Sequence, residues 1–147
     1  MLAYDPASSP LNNNDWSFAL VECFHIAAFA FSIGTIALVD LRLLGAGMMR
    51  QRPSDLLRAT TLWTLAGLVV VISSGLLIFS SDPYRYFYND SFRLKNIVLV
   101  IAVIYNYTIH RKVAMSDQTG AGAKLTALVS LLLWTTITFA GLFYAFT

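Results

Sequence analysis

Residues 61–79 read TLWTLAGLVVVISSGLLIF, a run that contains no charged side chain. At about 1.5 Å per residue, a helix of that length extends roughly 28 Å, which predicts a membrane span. Asp82-Pro83 follows the run and should end the helix, because proline cannot continue one. Pro53-Ser54-Asp55 is a typical helix start, so the helix is expected to begin before the bilayer is reached.

Three other apolar segments have the same character. Together with residues 61–79, they give four predicted spans, at residues 16–39, 61–79, 94–110 and 125–146. The chain is 57% hydrophobic and 12% charged, whereas a soluble domain is about 25% charged, so lipid must solvate much of its surface. The sequence therefore predicts a single all-α domain over residues 1–147, a polytopic membrane four-helix bundle in the lipid bilayer.

Basic residues are unevenly divided between the predicted loops. The loop after the first span contains Arg42, Arg50, Arg52 and Arg58, the loop after the third contains Arg111, Lys112 and Lys124, and the loop between the second and third contains Arg85, Arg93 and Lys95. Because cytoplasmic loops are enriched in Lys and Arg, the ratio of seven to three places the first two loops in the cytoplasm. The N-terminus and C-terminus are then expected on the periplasmic side of a bacterial inner membrane. The net charge of +2, without a basic run, excludes nucleic acid as a partner.

Each predicted helix carries a face suited to packing against its neighbours. In lipid, helices associate through small and polar residues, so such residues should point into the bundle. A spacing of three or four residues places such residues, with a few larger apolar ones, on one face of each helix. The faces are Glu22, His25, Ala28, Ser32 and Thr35 in the first span; Thr60, Thr64, Gly67, Val71, Ser74, Ile78 and Ser81 in the second; Leu99, Val103, Asn106 and His110 in the third; Ser130, Trp134, Ile137 and Gly141 in the fourth. Four such faces predict a bundle with short connections.

Glu22 and His25 are the most polar feature inside the predicted bilayer. A carboxylate and an imidazole are costly in an apolar span, and such residues usually face the bundle and often have a function. Because they are three residues apart, they can interact or share a partner. We therefore predict His25, Glu22 and His110 as cofactor-binding residues, with His25 as the metal ligand of a haem b. No catalytic residue is predicted, since the sequence has no nucleophile triad, phosphate-binding glycine loop or zinc motif.

The positions of the two histidines, His25 and His110, argue against one haem held between them. The first and third helices run in the same direction, with His25 about ten residues below the outer end of one and His110 at the inner end of the other. At about 1.5 Å per residue, the two side chains should differ in depth by roughly 10–15 Å. A haem on His25 would then take its opposite ligand from a partner chain or from another side chain.

Two other interpretations of the Glu–His pair stay open. The pair can relay protons or hydrogen-bond a quinone carbonyl. It can also act as a purely structural clamp that bonds across to serines and threonines of the second helix. A di-iron site is excluded because it needs further glutamates, and Glu22 is the only one. A copper site has little support, since Met48, Met49 and Met115 lie near the opposite side of the membrane from His25.

Other polar and aromatic residues have simpler expectations. His110, next to two basic residues, should be solvated at the inner boundary of the membrane. Asp40 is expected to pair with a basic neighbour, such as one on another helix, and Lys95 to extend outward to the interface. The stretch 84–89, YRYFYN, should lie at the headgroup boundary as an aromatic anchor or as a docking surface for a partner.

Several stretches together resemble a small family of bacterial membrane proteins without an assigned activity. They are ECFHI at 22–26, Gly34, DLRLLG at 40–45, Gly75 and Phe79, FRLK at 92–95, Asn106, His110 and Trp134. The resemblance covers nearly the whole chain, implies a four-helix fold and draws attention to His25 and His110. More distantly, the chain is similar to the membrane part of copper-resistance protein D, but it has fewer spans and no methionine-rich site, so copper transport is not carried over.

The sequence thus favours a small integral membrane subunit of a larger respiratory or photosynthetic electron-transfer complex. Its Glu–His pair would bind haem b or contact a quinone near His25, the other membrane subunits would be its partners, and the chain would have no independent catalytic activity. The alternative is a homo-oligomeric small transporter or a copper-related metal-handling protein, in which Glu22 and His25 line the path.

Overall fold

The structure is a computed structural model that describes residues 5–144, which form a bundle of long helices. Two short 3₁₀ turns, Pro6–Ser8 and Pro10–Asn12, precede the helices α1 (Asp15–Leu44), α2 (Pro53–Ser81), α3 (Pro83–Tyr88), α4 (Asp90–Met115) and α5 (Ala121–Tyr144). All except the short α3 are long and apolar enough to span a membrane, which confirms the predicted all-helical bundle of four spans. Residues 145 and 146 of the predicted fourth span lie outside the described residues.

Local sequence sets the helix ends. The Asn14 side chain caps α1 by accepting hydrogen bonds from two backbone N–H groups of the first turn, at 3.2 and 2.9 Å. α1 ends at Leu44 and is capped by Gly45, whose left-handed φ of 76° lets its N–H bond back to the last turn. α2 begins at Pro53, ahead of its apolar run as predicted, and ends at Ser81, immediately before the predicted stop.

The long helices follow one another around the bundle in the order α2, α1, α5, α4. α1 packs along both α2 and α5, and α5 packs along α4. α2 approaches α4 chiefly at residues 111–115, which closes the bundle at one end. We call this the basic end, because the loops 45–52 and 116–120 lie there with their flanking Arg and Lys side chains. At the opposite end, called the aromatic end, the short α3 bridges α2 and α4.

Two apolar clusters hold the bundle together, and the polar faces pack around them. One cluster lies toward the basic end and contains Val39, Leu43, Leu56, Ala114, Ala123 and Ala127; the other lies farther along and contains Ile36, Leu68, Ala102, Trp134 and Ile137. The packing faces predicted for the second and fourth spans are confirmed, because all their members are buried except Ile78 and Gly141, which are half-buried.

The closest approach of α1 and α2 is at Gly67. A methyl group at this position would overlap the Ser32 hydroxyl and would lie 3.3 Å from the Ala28 carbonyl oxygen. Ser32 itself is fully buried and donates a hydrogen bond to that carbonyl at 2.9 Å. The small residues predicted to face the bundle therefore allow two backbones to meet, as is usual between helices in lipid.

Gly67→Ala is expected to destabilise the bundle by about 1–3 kcal/mol, because the added methyl group must push α1 away from α2. The matched control is Gly34→Ala in α1, where an added methyl group meets nothing within 4 Å. That variant should be neutral or more stable by about 0.5–1 kcal/mol, since alanine favours a helix over glycine. Unfolding in detergent micelles measures both, and equal stabilities would contradict this account of the contact.

A carboxylate from a distant loop caps the start of α2. Asp117, between α4 and α5, accepts hydrogen bonds from the Ser54 backbone N–H at 2.9 Å and from the Ser54 hydroxyl at 3.0 Å. Arg52, at the N-cap position itself, provides no such bond. These hydrogen bonds hold the pKa of Asp117 below its usual value, and the bond from the backbone N–H has the larger effect. The cap thus ties the loop that follows the third span to the start of the second.

The contribution of this cap should depend on pH. Because the pKa of Asp117 is lowered by folding, its stabilising effect is complete above the unfolded value of about 3.9 and is lost as the pH falls through the lowered folded value. We expect the Ser54 amide to exchange its hydrogen faster in that acidic range, and Asp117→Asn to remove the pH dependence. Asp55→Asn serves as the control, because Asp55 is an exposed acid next to Ser54. This variant should keep the pH dependence. The same pH dependence in all three proteins would show that Asp117 is not its source.

Candidate functional site

A large cavity opens between the helices toward the aromatic end. Its volume is about 510 Å³, and all five helices contribute to its lining. Most of the lining is apolar or aromatic. Besides two tyrosines, five side chains bring polar groups to it: Glu22, His25, Lys95, Asn96 and Thr138. This size and this mixture of surfaces match binding sites for small organic molecules, which have volumes of about 300–1,000 Å³.

His25 lies half-buried on α1 and is fixed by α2. Its Nδ1 is 2.8 Å from the Ser74 hydroxyl oxygen, and that hydroxyl donates its own hydrogen to the Val70 carbonyl at 2.6 Å. The hydroxyl must therefore accept from Nδ1–H, an assignment that follows from the hydrogen-bond network. Nε2 is then left unprotonated, with a lone pair for a partner. Gly75 allows the ring to lie against α2, because a methyl group there would be 3.3 Å from its Cε1.

Lys95 lies in the same cavity, and the prediction that it extends outward is wrong. Its Nζ is 6.0 Å from the centroid of the Phe29 ring on α1, within the range of a cation–π contact. A methyl group on Gly141 of α5 would lie 3.6 Å from Nζ, an ordinary van der Waals distance, so the end of the lysine side chain lies beside this glycine. The inward course of Lys95 thus follows from what α1 and α5 place opposite it.

Glu22 contributes a carboxylate to the cavity lining, but its own side chain is exposed. No hydrogen bond joins Glu22 to His25 or to α2 among residues 5–144. The reason is that the His25 ring is turned toward Ser74 of α2, whereas the Glu22 side chain is exposed. The structure therefore forms half of the predicted clamp, the bond from His25 to Ser74, and places Glu22 nearer the aromatic end.

Stacked aromatic rings close the cavity at the aromatic end. Tyr86 of α3 is buried, with its ring centroid 5.0 Å from that of Tyr144 and 5.1 Å from that of Phe92. Burial raises the pKa of the Tyr86 hydroxyl, and its hydrogen bond to Tyr144 and the charge of Glu22 raise it further. Phe87 and Tyr88 of the same short helix are exposed, as the predicted interfacial anchor requires.

A second polar cluster lies deep in the bundle toward the basic end. His110 Nε2 is 2.7 Å from Asp40 Oδ1, and the Ser130 hydroxyl donates to Asp40 Oδ2 at 2.8 Å. The residues come from α4, α1 and α5, and the exposed fraction of His110 is 1% and that of Asp40 is 0%. The expected partner of Asp40 on another helix is confirmed. The expectation that His110 is solvated is wrong.

A local irregularity of α4 explains the burial of His110. Residues Asn106–His110 form a π-helical turn, which is wider than an α-helical turn. Ala102, Asn106, His110 and Ala114 are all buried, at a constant spacing of four. In a regular α-helix this spacing would rotate steadily off one face, and the wider turn offsets the rotation. That spacing, together with an aspartate inside an apolar helix, was the available sequence signal for the cluster.

The two histidines belong to separate sites. His110 contacts Asp40, and Asp40 follows His25 by 15 positions along α1, which corresponds to about 22 Å. Their separation in depth is larger than the predicted value of roughly 10–15 Å and leaves no room for one haem held by both within the chain. In the part of the chain that the structure describes, no group of three or more His, Cys, Asp or Glu side chains is placed to hold a metal ion.

The comparison with known proteins gives one match. The model of a family of unknown function (DUF6644) matches residues 17–147. No curated protein and no solved structure matches the chain. The match agrees with the resemblance to a family without an assigned activity, whereas the more distant likeness to copper-resistance protein D stays a prediction.

Proposed function

The chain belongs to the DUF6644 family, whose function is unknown, and we propose that it is a quinone-binding subunit of a membrane electron-transfer complex. The observation that carries the proposal is the cavity of about 510 Å³ in which His25 and Lys95 face one apolar and aromatic space. The quinone ring would lie in this cavity. Its two polar oxygens would be recognised by the two nitrogen-bearing side chains.

The two side chains have complementary hydrogen-bonding roles. Lys95 Nζ is a donor and suits a quinone carbonyl oxygen. His25 Nε2 is left as an acceptor by the bond from Nδ1 to Ser74, and it suits a quinol hydroxyl. The site would therefore recognise the oxidised form through Lys95 and the reduced form through His25. Phe29, which lines the cavity beside Lys95, offers a ring for the planar headgroup to contact.

The cavity also suits the apolar tail of a membrane quinone. Ile26, Leu76 and Leu142 line it, and each is more than half exposed on the surface of the bundle. In a bilayer, such exposed apolar side chains meet lipid, so the cavity would open into the hydrocarbon. A headgroup could enter from the membrane while its tail stays among the lipid chains.

Glu22 completes the proposed chemistry at the aromatic end. When a bound quinol is oxidised, two electrons pass to a redox centre of a neighbouring subunit and two hydroxyl protons are released. His25 Nε2 would accept one proton and the exposed Glu22 carboxylate the other, which it can pass to water. The chain would reside in a bacterial inner membrane with its termini on the periplasmic side, as the distribution of Lys and Arg favours, so these protons would leave on that side.

A haem b on His25 is the other occupant that this geometry favours. The Nδ1–H of a ligating histidine usually donates a hydrogen bond that fixes the ring, as the bond to Ser74 does here. His25 would hold the haem iron, together with a partner chain or a side chain such as Lys95. The haem would supply reversible one-electron chemistry at this site.

An optical spectrum and a lipid extract of the complex, isolated gently from its native membrane, distinguish these occupants. We expect extractable quinone in proportion to the chain, diminished in Lys95→Met and retained in Gly34→Ala, together with copurified redox subunits. A Soret band that is present in the wild type and absent in His25→Gln would identify the occupant as haem instead of quinone. Absence of both molecules, or a homo-oligomer without redox partners in native mass spectrometry, would overturn the proposal.

A further inference from the structure

A small second cavity lies beside the buried histidine of the basic end. Its volume is about 20 Å³, and polar side chains of three helices line it: Thr35, Thr60, Thr64, Asn106, Tyr107 and His110. A cavity needs about 10–15 Å³ to hold one water molecule, provided that polar groups surround it. This space therefore has the size and the lining of a site for one water.

Three buried polar atoms, each on a residue that lines this cavity, lack a partner among residues 5–144. They are the Asn106 carbonyl oxygen Oδ1, the Tyr107 hydroxyl and His110 Nδ1. Asn106 and His110 are exposed by only 7% and 1%. An unsatisfied buried polar atom is destabilising, so three of them on residues around one polar cavity indicate a ligand that can both donate and accept.

The hydrogen-bond inventory identifies that ligand as water. His110 Nε2–H donates to the Asp40 carboxylate, so Nδ1 of the neutral ring is an acceptor. Asn106 Oδ1 is also an acceptor, and the Tyr107 hydroxyl can donate. One water molecule has two hydrogens for the two acceptors and a lone pair for the tyrosine. Its hydrogen-bonding capacity therefore matches the three orphaned atoms.

We propose that this bound water makes the His110–Asp40 pair a proton-relay site that exchanges protons with the solution at the basic end. A proton that arrives on the water passes to His110 Nδ1, and the Nε2 proton moves to Asp40 Oδ1. One N–H bond forms, one breaks and one O–H bond forms, and the water is restored. This site is separate from the proposed quinone cavity and does not depend on its occupant.

The charges around the site support an exchange with one side of the membrane. Arg111 borders the small cavity and is itself exposed, so the water lies next to a side chain that reaches solvent at the basic end. The other titratable groups that face the pair are the hydroxyls of Tyr107 and Tyr105 on α4. α2 presents threonines, and α5 presents Ser130, which donates to Asp40. Asp40 is thus the proton acceptor at the end of the relay that lies farthest from solvent.

Nitrogen-15 NMR in lipid bilayers tests the bound water. In His25→Gln, His110 is the one remaining histidine, so all ring signals belong to it. At neutral pH we expect an unprotonated Nδ1, a protonated Nε2 and polarisation transfer from water protons to Nδ1. Asn106→Leu, which removes an acceptor and fills the cavity, should abolish that transfer, whereas Asn96→Leu in the large cavity should retain it. A proton on Nδ1 at neutral pH, or the absence of polarisation transfer from water protons to Nδ1, would overturn the proposal.

Infrared difference spectra between neutral and acidic pH test the relay itself. Acidification should protonate Nδ1 and produce the carbonyl band of a protonated Asp40. That band should vanish in Asp40→Asn and shift in Ser130→Ala, a milder variant that removes only the donor to Oδ2. If the folded protein shows neither change over the acidic range, the pair does not accept protons from the water and the proposal fails.

Discussion

Replacement of Asp40 by alanine is expected to lower the free energy of unfolding by about 3 kcal/mol, the largest loss predicted for a single side chain in this bundle. The variant removes two hydrogen bonds that Asp40 accepts, one from His110 and one from Ser130, and leaves both donors buried without an acceptor. Because the three residues join three helices, the loss affects the packing of α1, α4 and α5 together. Unfolding in bicelles by a denaturing detergent measures the effect.

Two further variants show whether the effect comes from the buried pair. Asp40→Asn retains an acceptor and a donor of the same shape, so its stability should lie between those of the wild type and Asp40→Ala. Asp90→Ala removes an exposed carboxylate at the start of α4 that is 3.9 Å from Arg93, and it should change stability little. A loss in Asp40→Ala no larger than that in Asp90→Ala would contradict the structural role of the trio.

Lys95→Met is expected to weaken quinone binding about 10- to 100-fold, the range that corresponds to the loss of a hydrogen bond from a charged donor. Methionine has a similar length and should still fill the space beside Phe29 and Gly141, so the fold should be kept. Titration of the purified protein in nanodiscs with a short-chain quinone, followed by quenching of intrinsic fluorescence, measures the affinity.

Lys124→Met is the matched control, because Lys124 is an exposed lysine at the basic end, on the first turn of α5. Its affinity for the quinone should equal that of the wild type. The same affinity in Lys95→Met as in Lys124→Met would mean that Lys95 does not contact the headgroup. The cavity would then hold its ligand through His25 and apolar contacts.

Local features of the sequence were sufficient to predict the helices and two of the packing faces. Pro53 begins α2 and Asp82-Pro83 ends it, because proline acts on its own neighbours. The polar face from Thr60 to Ser81 was predictable since a repeat of three or four residues fixes one side of any helix. These features need no knowledge of what lies opposite.

The features that the sequence did not predict depend on two distant segments at once. Lys95 turns inward toward the Phe29 ring of α1 and lies beside Gly141 of α5. His110 is buried because a π-helical turn points it toward Asp40, 70 positions earlier in the chain. In both cases, the partner that stabilises the unexpected orientation lies on a helix whose neighbours are set only by the folded bundle.

The most direct test of the proposed function is the nitrogen-15 spectrum of the wild-type protein in bilayers, recorded with and without a saturating short-chain quinol. The two histidines lie about 22 Å apart in depth, so they report separately on the large cavity and on the buried pair. A quinol bound in the cavity should donate to His25 Nε2, shift its signal and leave the His110 signals unchanged. A His25 signal that does not move at saturation would contradict the proposed quinone site.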